Sequence, residues 1–295
     1  MESNPIISIG LPISLIIIMM GIGMTLTIND FRQVAQKPKG LILGSISQII
    51  GMPMVAFLLA WGFQLPPEIA VGLVVIAACP GGTASNLFVL LARGNVALSI
   101  MLTVIASLIT IITLPVATGY ALEVFSTESV AITLPVGQMI TMMVAVVLVP
   151  VIVGMFIRYF WPNWSVKAEN WVNKLGGITL LLLVVSILYD IGANLVNLLL
   201  QAGAAAITLN IVGIVAGVLI AKFSQLPSQD GLTIGVELGV KNSTLALMVS
   251  VTLLGSNAMS VPIIVYSVSM FACAFALTVY GRRSKADNAI STETA

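Results

Sequence analysis

The residues best suited to chemistry in this chain lie in one short stretch, Gly-Val-Glu-Leu-Gly-Val-Lys-Asn-Ser-Thr at residues 235–244. It interrupts an apolar segment and places a carboxylate, Glu237, four residues before an ammonium, Lys241. On a helix the two would share a face, and a structural ion pair between them is one interpretation. Charges at membrane depth are costly and usually face a cavity or a transport pathway, which favours a functional site. Gly235 and Gly239 flank the acid, so we expect the helix to unwind there and turn carbonyls toward an ion.

A second stretch, Cys-Pro-Gly-Gly-Thr-Ala-Ser-Asn at residues 79–86, interrupts an earlier apolar segment in the same way. Pro80 lacks a backbone donor, and Gly81 and Gly82 permit unusual dihedral angles. A chain broken here presents free carbonyls on one side and free amides on the other. A packing kink without a function is the alternative.

Oxygen-bearing side chains near the two stretches could bind a hard cation. Ser99 and Thr103 lie one turn apart in the apolar segment that follows residues 79–86. Together with Ser85, Asn86 and Glu237 they would form an all-oxygen, singly anionic site suited to a monovalent cation such as sodium. For Ser99 and Thr103, ordinary hydrogen bonding between membrane helices is the alternative.

The composition indicates a polytopic membrane protein. Of 295 residues, 59% are hydrophobic and 8% are charged, and the mean hydropathy is +1.12, whereas soluble domains carry about 25% charged residues. The chain has no histidine, and Cys79 and Cys273 lie in separate apolar segments, which argues against a transition-metal site, a haem or a disulfide. We therefore expect no cofactor beyond a bound cation. The net charge of +1 gives no sign of a nucleic-acid partner, and no protein partner is evident.

Nine membrane spans are predicted where about 20 mostly apolar residues run between polar breaks. With the N-terminus outside, every lysine and arginine except Lys241 falls on the inner side, as the positive-inside rule requires. The C-terminus is then cytoplasmic, and without an evident cleavable signal we expect the inner (plasma) membrane of a bacterium. The predicted spans cover residues 5–27, 39–62, 67–92, 95–122, 130–158, 171–197, 201–222, 229–254 and 258–281.

The two broken spans, the third and the eighth, run in opposite directions in this topology. Paired broken helices of opposite direction are typical of an inverted repeat with a binding site near the midplane. The fold class is therefore all-α, and nine spans leave the first repeat without its first helix. We place a four-helix repeat at 1–122, a five-helix repeat at 130–283 and a cytoplasmic tail at 284–295.

Four motifs together resemble the signature of the bile acid:sodium symporter family. They are the sequence at 79–86, Leu-Ala-Arg-Gly-Asn-Val-Ala-Leu-Ser at 91–99, Met-Gly-Ile-Gly-Met-Thr-Leu at 20–26, and Glu-Leu-Gly-Val-Lys-Asn-Ser at 237–243. The similarity runs over nearly the whole chain. It implies two inverted repeats forming a core domain with crossed broken helices and a panel domain, and some members have nine spans. The core would cover about 39–122 and 201–283, and the panel about 5–27 and 130–197.

The resemblance implies two sodium sites, of which the second is altered here. The first would use Ser85, Asn86, Ser99, Thr103 and Glu237. The second would use Gln48, Glu237, backbone carbonyls and a glutamine at the position of Lys241. Because an ammonium there would repel a second sodium, we expect at most one Na⁺, with Lys241 replacing the second cation. The substrate is expected beside Thr83, Asn86, Asn242 and Ser243.

The function predicted from these features is secondary active transport of a small organic anion by alternating access, not enzymatic catalysis. The resemblance implies a bile-acid-like or pantoate-like carboxylate, and helix amides at the two breaks would suit one. A proton-coupled or uncoupled carrier is an alternative, because burial favours a neutral Lys241 whereas Glu237 favours its charged form. From another class, a non-transporting membrane sensor or scaffold is a further alternative.

Overall fold

A computed structural model describes residues 5–26, 38–125, 136–191 and 195–293. Most of these residues are helical, and no strand occurs among them, as predicted for an all-α protein. The helices are α1 Pro5–Thr25, α2 Pro38–Gly62, α3 Pro67–Ala78, α4 Thr83–Leu91, α5 Val96–Phe125, α6 Val136–Phe160, α7 Pro162–Ile191, α8 Leu195–Phe223, α9 Ser228–Gly239, α10 Ser243–Leu253 and α11 Ser260–Glu293.

Five of these helices, α2, α5, α6, α8 and α11, are long and apolar enough to cross a membrane. Shorter apolar helices lie in α1, α3 and α10. The chain is therefore a multi-pass membrane protein. α7 begins at Pro162 and so extends beyond the start of the sixth predicted span, 171–197. A proline at the first helical position suits a helix start, whereas the prediction followed the onset of apolar sequence.

Glycines let the helices approach closely on both sides of the molecule. α1 packs against α6 and α7, and a Cβ at Gly23 would lie 2.1 Å from the Val151 carbonyl oxygen. α8 packs along α9 and α11, and a Cβ at Gly217 would lie 2.3 Å from the backbone nitrogen of Gly235. Small residues at helix interfaces are how membrane helices maximise packing. The prediction that Gly235 unwinds its helix was wrong, because α9 continues to Gly239 and Gly235 serves this contact.

The helix interruptions themselves were predicted correctly, and they cross each other. The chain is extended between α3 and α4 and again between α9 and α10. The Gly82 amide donates to the Val240 carbonyl at 3.1 Å, and the Asn242 amide donates to the Pro80 carbonyl at 2.9 Å. This antiparallel bridge pairs backbone groups that would otherwise be unsatisfied inside a membrane.

The two broken segments, α3 with α4 (67–91) and α9 with α10 (228–253), resemble each other. Each is preceded by Gln-Leu-Pro, at 64–66 and 225–227. Gln64 and Gln225 have positive φ angles of 51° and 55°, and each proline caps a helix of 12 residues that ends at the crossing. This likeness supports the predicted internal repeat.

Hydrogen bonds also join the broken segments at their far ends. The side-chain amide of Asn95, in the turn after α4, donates to the carboxylate of Asp230, in the first turn of α9, at 2.9 Å. The Ser256 hydroxyl, in the turn after α10, donates to Glu68 in the first turn of α3 at 2.6 Å. The two broken segments are therefore connected at the crossing and at both ends. These connections favour movement of the two segments as one unit.

Candidate functional site

The centre of the site is the carboxylate of Glu237, near the C-terminal end of α9. The side chain is fully buried. Its Oε1 accepts hydrogen bonds from the hydroxyls of Ser85 at 2.6 Å and Ser99 at 2.5 Å, and its Oε2 accepts one from Thr103 at 2.8 Å. A buried carboxylate needs such partners, because an unpaired charge in a low-dielectric interior is strongly destabilised.

Three helices supply these groups. Ser85 lies in the first turn of α4, immediately after the break, and Ser99 and Thr103 lie one turn apart on the buried face of α5. The amide oxygen of Asn86 lies 2.7 Å from the Ser99 hydroxyl oxygen, within hydrogen-bond distance. The structure therefore brings the five residues predicted for the first cation site into one connected cluster of oxygen atoms.

Gly81 forms the wall of this cluster. A Cβ at Gly81 would lie 2.3 Å from Glu237 Oε2 and 3.1 Å from Thr103 Oγ1. In the described part of the chain the one glycine with a positive φ is Gly255, so Gly81 does not use the unusual dihedral angles that a glycine permits. The glycine is needed here because the carboxylate approaches the backbone closely.

Lys241 lies on the extended segment of the crossing, where it forms the bridge with Gly81. It is 1% exposed, and its Nζ has no hydrogen-bond partner within the described ranges. Its ionisable neighbours are Cys79 and Glu237. A structural ion pair with Glu237, the alternative that the four-residue spacing allowed, is absent from these contacts, because α9 ends at Gly239 and the helical spacing no longer applies.

Gln48, predicted for the second cation site, is 1% exposed in a π-helical turn, Ser47–Gly51. Neither its amide oxygen nor its amide nitrogen has a partner among the residues described. No hydrogen bond therefore connects Gln48 to Glu237 or Lys241, although the π-helical turn that carries Gln48 contacts α9. π-turns inside α-helices are frequent at functional sites.

The predicted substrate residues begin the second halves of the broken segments. Asn242 caps α10, since its side-chain oxygen accepts from the Leu245 amide at 3.0 Å, and its buried Nδ2 has no partner in the described structure. The Ser243 hydroxyl lies 2.6 Å from that of Ser267. Asn86 belongs to the Glu237 cluster, and the side chain of Thr83 lies outside the described residues.

Two residues that sequence reasoning did not assign to the site hold the end of α9. The Asn210 amide donates to the Gly239 carbonyl at 2.6 Å, and the Tyr266 hydroxyl donates to the Leu238 carbonyl at 3.2 Å. They satisfy carbonyls that the last turn of a helix leaves free. Isolated polar atoms within apolar spans were the available signal, but tyrosine and asparagine there are also common between helices.

A helical membrane protein whose interrupted helices cross beside a buried carboxylate has the architecture of a secondary transporter. The model of the Sodium Bile acid symporter family matches residues 12–198, and the chain belongs to this family. The family consists of transporters rather than enzymes. The resemblance seen in the sequence motifs is thus confirmed.

Individual relatives agree with this assignment. The chain is 35% identical over 254 residues to the "Uncharacterized sodium-dependent transporter YocS" of Bacillus subtilis, covering 85% of this chain and 76% of the relative. It is 32% identical over 259 residues to the "Probable sodium/metabolite cotransporter BASS1, chloroplastic" of Arabidopsis thaliana, covering 87% and 62%. It is 30% identical over 234 residues to the human "Sodium/bile acid cotransporter 4", covering 78% of this chain but only 52% of that protein.

Proposed function

We propose that this protein is a symporter that couples the entry of one Na⁺ to the uptake of a small organic anion. The observation that carries the proposal is the buried cluster in which three hydroxyls converge on the Glu237 carboxylate. Hydroxyl groups can rotate. The same hydroxyls that now donate to the carboxylate could therefore turn the lone pairs of their oxygens toward a cation. Oxygen ligands with a single negative charge suit a hard monovalent cation. The words sodium-dependent and sodium/metabolite in the names of two relatives support the choice of Na⁺.

Lys241 takes the place of a second cation in this proposal. A buried ammonium beside the Glu237 cluster supplies a positive charge without an ion. Two unit charges 4 Å apart repel by about 4 kcal/mol at an effective dielectric constant of about 20, which opposes a second Na⁺ close to the ammonium.

The substrate is a bile-acid-like or pantoate-like carboxylate bound at the crossing. α4 and α10 both begin there, and the N-terminal ends of helices attract anions through free amides and the helix dipole. Asn86, Asn242 and Ser243 add side-chain polar groups at the same place, and Thr83 is the first residue of α4.

Alternating access would come from movement of the connected broken segments against α1, α6 and α7. The core in this scheme comprises residues 39–122 and 201–283, and the panel comprises 5–27 and 130–197. The close glycine contact between α1 and α6 supports a panel that moves as a body. The N-terminus lies outside and the C-terminus in the cytoplasm of a bacterial cell, as the distribution of basic residues indicates.

Uptake into proteoliposomes tests the proposal. Labelled pantoate and taurocholate are the probes, and an inward Na⁺ gradient is compared with an equal K⁺ gradient. We expect Na⁺-driven accumulation of one probe by the wild type and its loss in Glu237→Gln. Glu123→Gln removes an exposed acid at the end of α5 and should retain uptake. Uptake that ignores Na⁺ but follows an inward proton gradient would contradict sodium coupling and support the proton-coupled alternative.

A further inference from the structure

Glu237 and Lys241 are the only charged side chains that are buried among the residues whose burial the structure describes. Their exposed fractions are 0% and 1%. Without ion or substrate, one carboxylate and one ammonium give the site a formal charge of zero. Because uncompensated charge inside a membrane protein is strongly unfavourable, this balance constrains what the site can carry.

The two charges are arranged for different partners. The oxygens of Glu237 already face a complete set of hydroxyl groups from two other helices, as a cation site requires. The Nζ of Lys241 and the Nδ2 of the next residue, Asn242, are buried donors without a partner in the described structure. Unpaired buried donors of this kind are costly unless an acceptor arrives. An anionic acceptor would therefore satisfy the lysine, and a cation would suit the oxygen cluster around the glutamate.

We propose that transport is electroneutral, with one Na⁺ and one monoanionic carboxylate moved per cycle, and with Lys241 as the fixed counterion of the substrate carboxylate. This inference rests on the proposed function and specifies the charge of its substrate. Na⁺ alone would leave the site with a charge of +1, and the anion alone with −1. Only the empty and the fully loaded site are neutral, so each solute favours binding of the other, and the coupling is reciprocal.

Electroneutral transport would favour substrates that carry a single negative charge. A neutral amide or ester analogue would leave the loaded site with a charge of +1, and a dianion would leave it with −1. Both should bind and cross less well than the monocarboxylate of the same shape. Replacing Lys241 by glutamine removes the fixed counterion, and Na⁺ alone would then neutralise Glu237.

Membrane potential is the direct test. Proteoliposomes holding the wild-type protein receive a fixed inward Na⁺ gradient and whichever of labelled pantoate or taurocholate that gradient drives. Valinomycin with a tenfold outward K⁺ gradient then imposes an inside-negative potential, and a parallel sample has equal K⁺ on both sides. A carrier that moves one net positive charge gains up to about tenfold accumulation from this potential. We expect no change beyond about twofold, and one ²²Na⁺ entering per probe molecule.

The outcomes separate the two proposals. Na⁺-driven uptake that rises about tenfold with the potential would overturn electroneutral transport while leaving the symporter assignment intact. Uptake independent of Na⁺ would overturn the symporter assignment itself. Lys241→Arg, which keeps the charge, should remain insensitive to the potential, whereas Lys241→Gln should lose tight coupling or become sensitive. Because the wild-type measurement is decisive alone, poor folding of a variant does not remove the test.

Discussion

The backbone of Gly81 lies so close to Glu237 that a Cβ at residue 81 would come within 2.3 Å of Glu237 Oε2. The first broken segment therefore forms one wall of a site whose charge comes from the second. This contact explains why the helix is interrupted at this point. An intact helix with side chains would leave no room for the carboxylate.

Gly81→Ala should displace the carboxylate and weaken Na⁺ binding by at least about tenfold, which corresponds to about 1.4 kcal/mol. Na⁺-dependent thermal stabilisation of the purified protein measures this, because a ligand of the folded state raises the apparent stability. Gly119→Ala on α5 is the control, because nothing lies within 4 Å of a Cβ there. Equal Na⁺-dependent stabilisation of Gly81→Ala and the wild type would show that the close contact between Gly81 and Glu237 is not needed for Na⁺ binding.

Ser99→Ala should also lower Na⁺ affinity by about tenfold or more, because hydrogen-bonding groups at a charged centre contribute about 1.5–3 kcal/mol. The matched control is Ser107→Ala. Ser107 is buried on the same helix, but its hydroxyl bonds to the backbone carbonyl of Thr103. Titrations with ²²Na⁺ compare the two variants. Similar losses in both would mean that the effect comes from packing of α5 and not from the loss of a ligand.

The contact between Asn95 and Asp230 should contribute to stability independently of Na⁺. A double-mutant cycle with Asn95→Ala and Asp230→Ala should give an interaction energy of about 0.5–3 kcal/mol. Chemical or thermal unfolding, measured with and without Na⁺, supplies the four free energies of unfolding. Additive effects of the two substitutions would show that the turn after α4 is not held by α9 in the way the hydrogen bond indicates.

The residues of the site were predictable because they violate the membrane pattern. Glu237, Ser85 and Thr103 are polar residues at positions where contact with lipid or with other helices favours apolar ones. Pro80 lies inside an apolar segment, where no loop is expected. These local signals were enough to indicate two interrupted helices and the oxygen-bearing residues near each. They do not depend on how distant parts of the chain align.

The pairing of the two breaks could not be predicted in the same way. The bond from Gly82 to Val240 joins residues far apart in sequence, and its register depends on where α9 ends. The sequence indicated that Gly235 would loosen the helix, but tight packing against Gly217 keeps it helical. Because α9 ends at Gly239, Lys241 lies beyond the helix, and the ion pair that a helical spacing would allow does not form.

In the proposed scheme Glu237 holds one Na⁺, and Lys241 replaces another. Equilibrium binding of ²²Na⁺ to the purified protein tests it most directly, in the wild type, Glu237→Gln and Lys241→Gln. We expect one Na⁺ per chain in the wild type, none in Glu237→Gln, and a second Na⁺ or a stronger Na⁺ response in Lys241→Gln. Two cooperative Na⁺ ions per chain with Lys241 intact would contradict the claim.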